Sequence, residues 1–153
     1  MDTSLKVILF QLKQQKYGVN IQQVRSIERT QAITEVPQTY DFIKGIINLR
    51  GEITPVLDLK ERLHIGETEY TESTRILVVH VYDYQVGLIV DSATDVIDIN
   101  REEVDAAPEM IAGVSQDYIQ GVAKLENQLL LLLDLEHVLN FEQLNEVKTI
   151  VEK

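Results

Sequence analysis

Two aspartates hold matching places in the chain and are the first candidates for chemistry. Asp58 and Asp134 each follow an apolar run, and paired carboxylates can perform general acid–base catalysis. Each, however, immediately precedes a short helical stretch, residues 59–63 and residues 135–139. An aspartate there accepts hydrogen bonds from the free amides of the first helical turn, which contributes about 1 kcal/mol. We therefore predict that both aspartates are helix caps and that Glu61 completes a capping box.

An acidic segment from Asp91 to Glu102 resembles a calcium-binding loop. Asp91, Asp95 and Glu102 fall at positions 1, 5 and 12 of such a loop. Position 3 is Ala93, which offers no ligand oxygen, and position 6 is Val96, where the loop needs glycine. We expect this segment to be a strand, and we keep a small ligand- or metal-binding barrel as the alternative hypothesis.

The other reactive side chains form no known catalytic or metal-binding pattern. The chain has no Cys, which excludes disulfides, thiolate metal sites and cysteine nucleophiles. His64, His80 and His137 are scattered without ligand spacing. Glycine-rich phosphate loops and the common hydrolase motifs are absent from the sequence. We predict a protein that is not an enzyme and that carries no cofactor.

The elements that position these residues are predicted to be β-strands. Val and Ile account for 33 of the 153 residues, whereas Ala, the best helix former, occurs only six times. Residues 5–12 and 74–82 are nearly continuous apolar runs, which is typical of strands buried on both faces. An Arg50-Gly51 turn separates two further strands.

The sequence contains an internal duplication. Residues 42–63 match residues 118–139 at a constant offset of 76, and residues 7–27 match residues 76–96 at an offset of 69. Two glycines and an Asp-Leu pair lie in register within these matches. We predict two similar halves, about 5–64 and about 74–139, joined by a polar stretch.

Each half holds about five short strands, too few for an open sandwich. The predicted fold is therefore all-β, with two small closed barrels, short helices and a C-terminal helix. That helix is predicted over residues 140–152, where apolar residues recur at helical spacing after the potential cap Asn140.

Charge is distributed unevenly along the chain. The net charge is −11, with +2 in residues 1–64 and −13 in residues 65–153. This acidity argues against nucleic acid and anionic membranes as partners, and no apolar run is long enough for membrane insertion. We expect a soluble cytoplasmic protein whose halves present electrostatically different faces to partners.

Several motifs resemble one known family. Residues 42–59, FIKGIINLRGEITPVLDL, are similar to the CheW family of bacterial chemotaxis coupling proteins, and residues 17–27, 86–91 and 107–110 fit the same family in order. The resemblance covers essentially the whole chain and implies a single CheW-like domain, 1–153, built from two five-stranded SH3-like barrels. It also implies a function without catalysis: coupling the cytoplasmic tips of chemoreceptors to the regulatory domain of the histidine kinase CheA. Receptors would then recruit the protein to the inner face of the membrane.

The resemblance implies two groups of site residues. The receptor-binding group comprises Val24, Ser26, Ile27, Leu49, Arg50 and Gly51. The kinase-binding group comprises Asp105, Pro108, Glu109 and Met110.

Two positions depart from the family's pattern. Ser26 stands where many relatives carry an acidic residue, and Glu28 and Glu35 are the nearby candidates to supply that charge. Asp105 stands where some relatives carry a basic residue. Arg50 is replaced by Glu126 at the equivalent position of the second half, so the Arg-Gly turn belongs to one half alone and is predicted to be functional.

Overall fold

Short antiparallel strands joined by tight turns make up most of the chain. The computed structural model describes residues 4–37 and 40–139, together with Glu142 and Asn145. The strands are β1 (Ser4–Leu12), β2 (Gln15–Asn20), β3 (Val24–Arg29), β4 (Ile43–Leu49), β5 (Glu52–Asp58), β6 (Arg75–Val81), β7 (Tyr84–Val90), β8 (Ser92–Asn100), β9 (Val104–Asp105), β10 (Met110–Ile111), β11 (Val114–Ser115), β12 (Ile119–Leu125) and β13 (Gln128–Leu133). The helices are α1 (Leu59–Arg62) and α2 (Leu135–Val138), and 3-10 turns cover Ile21–Gln23, Arg101–Glu103 and Gln116–Tyr118.

The strands form two barrels with the same internal order. Barrel 1 has the order β3-β6-β7-β5-β4, and barrel 2 has the order β8-β1-β2-β13-β12-β9. In each barrel one neighbouring pair is parallel, β5 with β7 and β2 with β13, and the other pairs are antiparallel. The orders coincide once β1–β5 are matched to β6, β7, β8, β12 and β13, which are the matches that the two sequence offsets give.

The two repeats exchange strands, so each barrel contains strands of both repeats. The first two strands of each repeat pair with the last three strands of the other, so barrel 1 spans residues 24–90 and barrel 2 combines residues 4–20 with residues 92–133. The prediction that residues 5–64 form one barrel and residues 74–139 the other is therefore wrong. Those boundaries mark the sequence repeats and not the barrels. The offset between two matching segments is the same whether the strands of a repeat pair with each other or with strands of the other repeat.

Each barrel is closed by a short backbone bridge, which reaches β4 in barrel 1 and β12 in barrel 2. In barrel 2, β9 follows β8 after one 3-10 turn and pairs Val104 with Ala123 of β12. In barrel 1, Thr34 and Ile46 exchange two backbone hydrogen bonds of 2.9 and 2.8 Å. These bridges pass directly over two glycines, Gly45 and Gly121. A Cβ atom on Gly45 would lie 2.1 Å from the Thr34 carbonyl oxygen, which explains why glycine recurs in register.

Apolar side chains fill three regions. Ile76 and Val78 of β6 point into barrel 1, whereas the alternate residues Leu77 and Val79 join a larger cluster that contains residues of both sheets. Barrel 2 has its own interior around Val7 and Leu130. Strands β1 and β6 are therefore buried on both faces, as their continuous apolar runs predict.

Arg62 joins the two repeats where their equivalent residues meet. Its Nε donates to the Val138 carbonyl oxygen at 2.8 Å, and its Nη1 lies 3.1 Å from the Tyr118 hydroxyl. The guanidinium also lies 5.4 Å from the Phe42 ring centroid and 5.0 Å from that of Tyr118. Tyr118 is the repeat equivalent of Phe42, and Val138 is the repeat equivalent of Arg62 itself. A buried cation with these contacts fixes one repeat against the other.

The predicted C-terminal helix over residues 140–152 lies largely outside the described residues. Only Glu142 and Asn145 of that segment are described; both are helical, and the Tyr84 hydroxyl lies 3.1 Å from Asn145 Oδ1. Among the residues described, no helix combines the length and the apolar character that crossing a membrane requires.

Residues 1–66 expressed alone should not fold. They contain three strands of barrel 1 and two of barrel 2, so neither barrel can close, and the shared apolar cluster loses 14 of its 23 buried members. We expect poorly dispersed amide chemical shifts in an NMR spectrum and no cooperative melt. Mixing with residues 67–153 should restore both the dispersion of the spectrum and a cooperative melt. A dispersed spectrum from residues 1–66 alone would contradict this prediction.

Gly45→Ala should destabilise the protein by about 3 kcal/mol or more, because the new methyl group would overlap the Thr34 carbonyl at a position where φ is +144°. Gly51→Ala is the matched control. Its φ is also positive, at +85°, but no atom lies within 4 Å of the new Cβ, so it should cost only about 1–2 kcal/mol of backbone strain. Urea denaturation of both variants measures the difference, and equal costs would show that the close approach is unimportant.

Candidate functional site

The tip of the β4–β5 hairpin presents Arg50 to solvent. Arg50 and Gly51 form a two-residue turn with φ values of +53° and +85°, and Asn48 Oδ1 accepts a hydrogen bond of 2.9 Å from the Gly51 amide. Gly51 adopts this conformation at low cost, while Arg50 adopts it despite its Cβ. The Arg50 side chain is 71% exposed. It is thus held by its backbone at an exposed hairpin tip, as the sequence predicts.

Two ion pairs connect β3 to this hairpin. In one the hairpin supplies the cation, and in the other β3 supplies it. Arg50 Nη2 lies 3.3 Å from Glu28 Oε2, and Arg25 Nη1 lies 3.9 Å from Glu52 Oε2. Arg25 also donates to Gln85 Oε1 at 3.0 Å. Of the two acidic residues predicted as substitutes near Ser26, Glu28 is therefore the one that contacts Arg50. The Arg25–Glu52 pair could not be predicted from the sequence, because it forms only when the barrel closes and brings β3 to the β4–β5 hairpin.

Exposed apolar residues neighbour these charged residues in the sequence. Ile27, beside Glu28, is 40% exposed, and Ile53, beside Glu52, is 53% exposed. Val24 is half-buried and packs against the shared apolar cluster. The surface of barrel 1 therefore combines isolated apolar side chains with paired charges, an arrangement typical of recognition surfaces.

Two residues of the predicted receptor group have side chains turned inward. Leu49 is only 8% exposed and belongs to the interior of barrel 1. The Ser26 hydroxyl is buried and has no hydrogen-bond partner among the described residues. A register shift between Val24 and Ser26 where β3 pairs with β6 sets this orientation, and it could not be predicted from the sequence.

The predicted kinase-binding residues lie on barrel 2 and beside it. Asp105 pairs with Val122 at the edge strand β9, and Pro108 and Glu109 are exposed in the loop that follows. Met110 begins the small β10–β11 hairpin and is 57% exposed. Val114, on the same hairpin, is fully buried and anchors it to the shared apolar cluster.

The two strand-ending aspartates are caps. Asp58 Oδ1 accepts from the amides of Lys60 and Glu61 at 3.0 and 3.4 Å, and Asp134 Oδ1 accepts from the His137 amide at 3.3 Å. The predicted capping box is wrong, because the Asp58 amide donates to the Phe42 carbonyl while Glu61 pairs with Lys44. Burial would lower the pKa of Lys44, but the hydrogen bond and the charge of Glu61 outweigh it and raise that pKa.

The acidic segment that resembles a calcium loop is extended. Residues 92–100 form β8, whose pairing with β1, interrupted by one register shift between Leu9 and Phe10, is incompatible with a metal-wrapping loop. Asp91 accepts from the Lys13 amide and pairs with Lys60 Nζ, both at 2.8 Å, so its carboxylate serves packing between the barrels. Within the described ranges, no three His, Asp or Glu side chains converge as metal ligands.

The comparison with known proteins decides the family. The family described as CheW-like domain matches residues 6–143. The chain belongs to the CheW-like domain family. It is 41% identical over 140 residues to the Chemotaxis protein CheW of Bacillus subtilis, covering 92% of this chain and 90% of that protein. It is 33% identical to the Chemotaxis protein CheW of Klebsiella aerogenes, covering 90% and 82%.

A solved structure agrees with this assignment. The crystal structure of the scaffolding protein TtCheW from Thermoanaerobacter tengcongensis superposes with a TM-score of 0.83 at 31% identity, covering 94% of this chain and 92% of that one. The CheW-like fold predicted from the resemblance is confirmed. The CheW family is a family of chemotaxis adaptors or scaffolds, which agrees with the prediction that this chain is not an enzyme.

Proposed function

We propose that this chain is a non-enzymatic adaptor that couples the cytoplasmic tips of chemoreceptors to the histidine kinase CheA. Receptors bind barrel 1 around Arg50, Ile27 and Val24, and the regulatory SH3-like domain of the kinase binds barrel 2 around residues 105–110. The adaptor itself enters neither the membrane nor a nucleic-acid complex. It works in the cytoplasm and reaches the inner face of the membrane by binding receptors.

One observation carries this proposal: the repeats share a core but differ at the hairpin tip. Barrel 1 ends in Arg50-Gly51, tied to Glu28 at 3.3 Å, whereas the equivalent turn of barrel 2 is Glu126-Asn127. Both hairpins fold with two-residue loops, so the Arg-Gly turn is not required for folding. Selection for a partner of barrel 1 supplies the reason for the difference.

The two surfaces also suit two different partners. Exposed apolar residues beside Arg50 fit the apolar face of a receptor helix, with the guanidinium setting its orientation. The acidic loop at Asp105 and Glu109, with the exposed Met110, fits a partner that is positively charged around an apolar pocket.

Arg50→Glu should weaken binding to a receptor cytoplasmic fragment by about 2 kcal/mol or more, because it places two carboxylates together and reverses a recognition charge. The free energy of unfolding should fall by no more than about 1 kcal/mol, since the residue is exposed and loses one surface ion pair. Calorimetric titration and a thermal melt of the same sample provide both numbers.

Lys124→Glu is the matched control, because it makes the same charge change at an exposed position beside the equivalent hairpin of barrel 2. It should leave receptor binding unchanged. Normal binding by Arg50→Glu, or a loss of binding that only follows unfolding, would contradict the receptor assignment.

Asp105→Asn combined with Glu109→Gln should mainly slow association with the regulatory domain of the kinase and flatten its dependence on salt. Both side chains are exposed, so long-range attraction rather than packing is lost. Stopped-flow rates at several salt concentrations test this, and an unchanged slope would place the kinase contact elsewhere.

A further inference from the structure

Barrel 1 carries two arginines directly opposite each other on neighbouring strands. Arg29, the last residue of β3, pairs in register with Arg75, the first residue of β6. Like charges at directly opposite positions destabilise a sheet. Neither guanidinium lies within ion-pair distance of a carboxylate in the described part of the chain. Folding alone gives no reason for this pair.

Barrel 2 holds a different pair of residues at the equivalent positions. Adding 69 to Arg29 gives Asp98, and subtracting 69 from Arg75 gives Lys6. Lys6 and Asp98 are also directly opposite each other, where β1 pairs with β8. Barrel 2 thus has an attractive pair and barrel 1 a repulsive pair at equivalent positions of the same framework.

The arginine pair borders a surface cavity of about 460 Å³. Thr30, Thr71, Glu72 and Thr74 complete its lining. Arg75 is held in place because its Nη1 donates to the carbonyl oxygens of Glu72 and Thr74, both at 2.8 Å. The Arg29 side chain is exposed and makes no hydrogen bond or ion pair with another described residue. The Thr71 and Thr74 hydroxyls are used for hydrogen bonds within their own loop. The two guanidinium groups, one fixed by backbone carbonyls and one free, suit a bound oxyanion.

We propose that Arg29 and Arg75 form a clamp for a carboxylate carried by a helix of the receptor. This inference rests on the proposed function of barrel 1. Residues Ile27 and Arg29 lie on the same face of β3, since they alternate along a stretch without a register shift. Their spacing of about 7 Å is close to that of side chains one turn apart on a helix. The partner helix would place an apolar residue on Ile27 and an acidic residue, one turn along, between the arginines.

The test compares charge-neutral variants in receptor binding. Arg29→Gln and the double variant with Arg75→Gln should weaken binding of a receptor cytoplasmic fragment roughly tenfold or more and flatten its salt dependence. The melting temperature of Arg29→Gln should stay the same or rise, because repulsion is removed; a purely structural role of Arg29 would lower it. Lys6→Gln, at the position of barrel 2 that is equivalent to Arg75, is the matched control and should leave receptor binding unchanged.

The outcomes separate this inference from the proposed function. If the wild-type protein binds the fragment and Arg50→Glu does not, while the arginine variants bind normally, the clamp is wrong and the adaptor function stands. If the wild-type protein does not bind the fragment at all, both fail. If inorganic phosphate at constant ionic strength binds through the two arginines and acetate does not, the pair is a phosphate site and the carboxylate assignment is overturned.

Discussion

Each barrel is completed by strands from the other repeat, and this exchange holds the molecule together. The chain crosses between the barrels twice, at the 3-10 turn Ile21–Gln23 and at Asp91. Because the chain crosses twice, the outer faces of the two barrels lie against each other. Apolar residues of these faces, such as Leu77 of barrel 1 and Phe10 of barrel 2, are buried in a common cluster. The barrels cannot separate without exposing that cluster, and their relative orientation is therefore set by packing.

Polar groups secure the same junction where apolar packing alone would allow sliding. Arg62 reaches from α1 to the carbonyl of Val138, while Lys60 pairs with Asp91 at one of the crossings. Both cations are largely buried, so each would be costly without its partners. Their geometry is specific to one orientation of the barrels. The surface around Arg50 and the surface around Met110 are consequently held at a fixed separation, as the function proposed for this chain requires.

Much of the fold could be predicted from the sequence, because the two repeats match each other at the constant offsets of 69 and 76 residues. Strands, hairpin turns and the capping roles of Asp58 and Asp134 all follow from local residue types. The strand exchange did not follow, since swapped and unswapped pairings give the same sequence matches. Burial of the Ser26 hydroxyl also required the register of β3, which a bulge changes. The acidity of the second half is redistributed for the same reason, because the lysines of β1 and β2 lie in barrel 2.

Function in this molecule is most visible where the repeats differ. Positions that close the barrels are kept in both copies, as Gly45 and Gly121 are, because a side chain there would collide with the bridging strand. Surface positions have no such requirement, and a difference between copies at equivalent surface sites needs another cause. Arg50 faces Glu28 in barrel 1, and the equivalent residue of barrel 2 is acidic. The shared residues report what folding needs, and the Arg-Gly turn of barrel 1 is the departure to which we assign the proposed receptor contact.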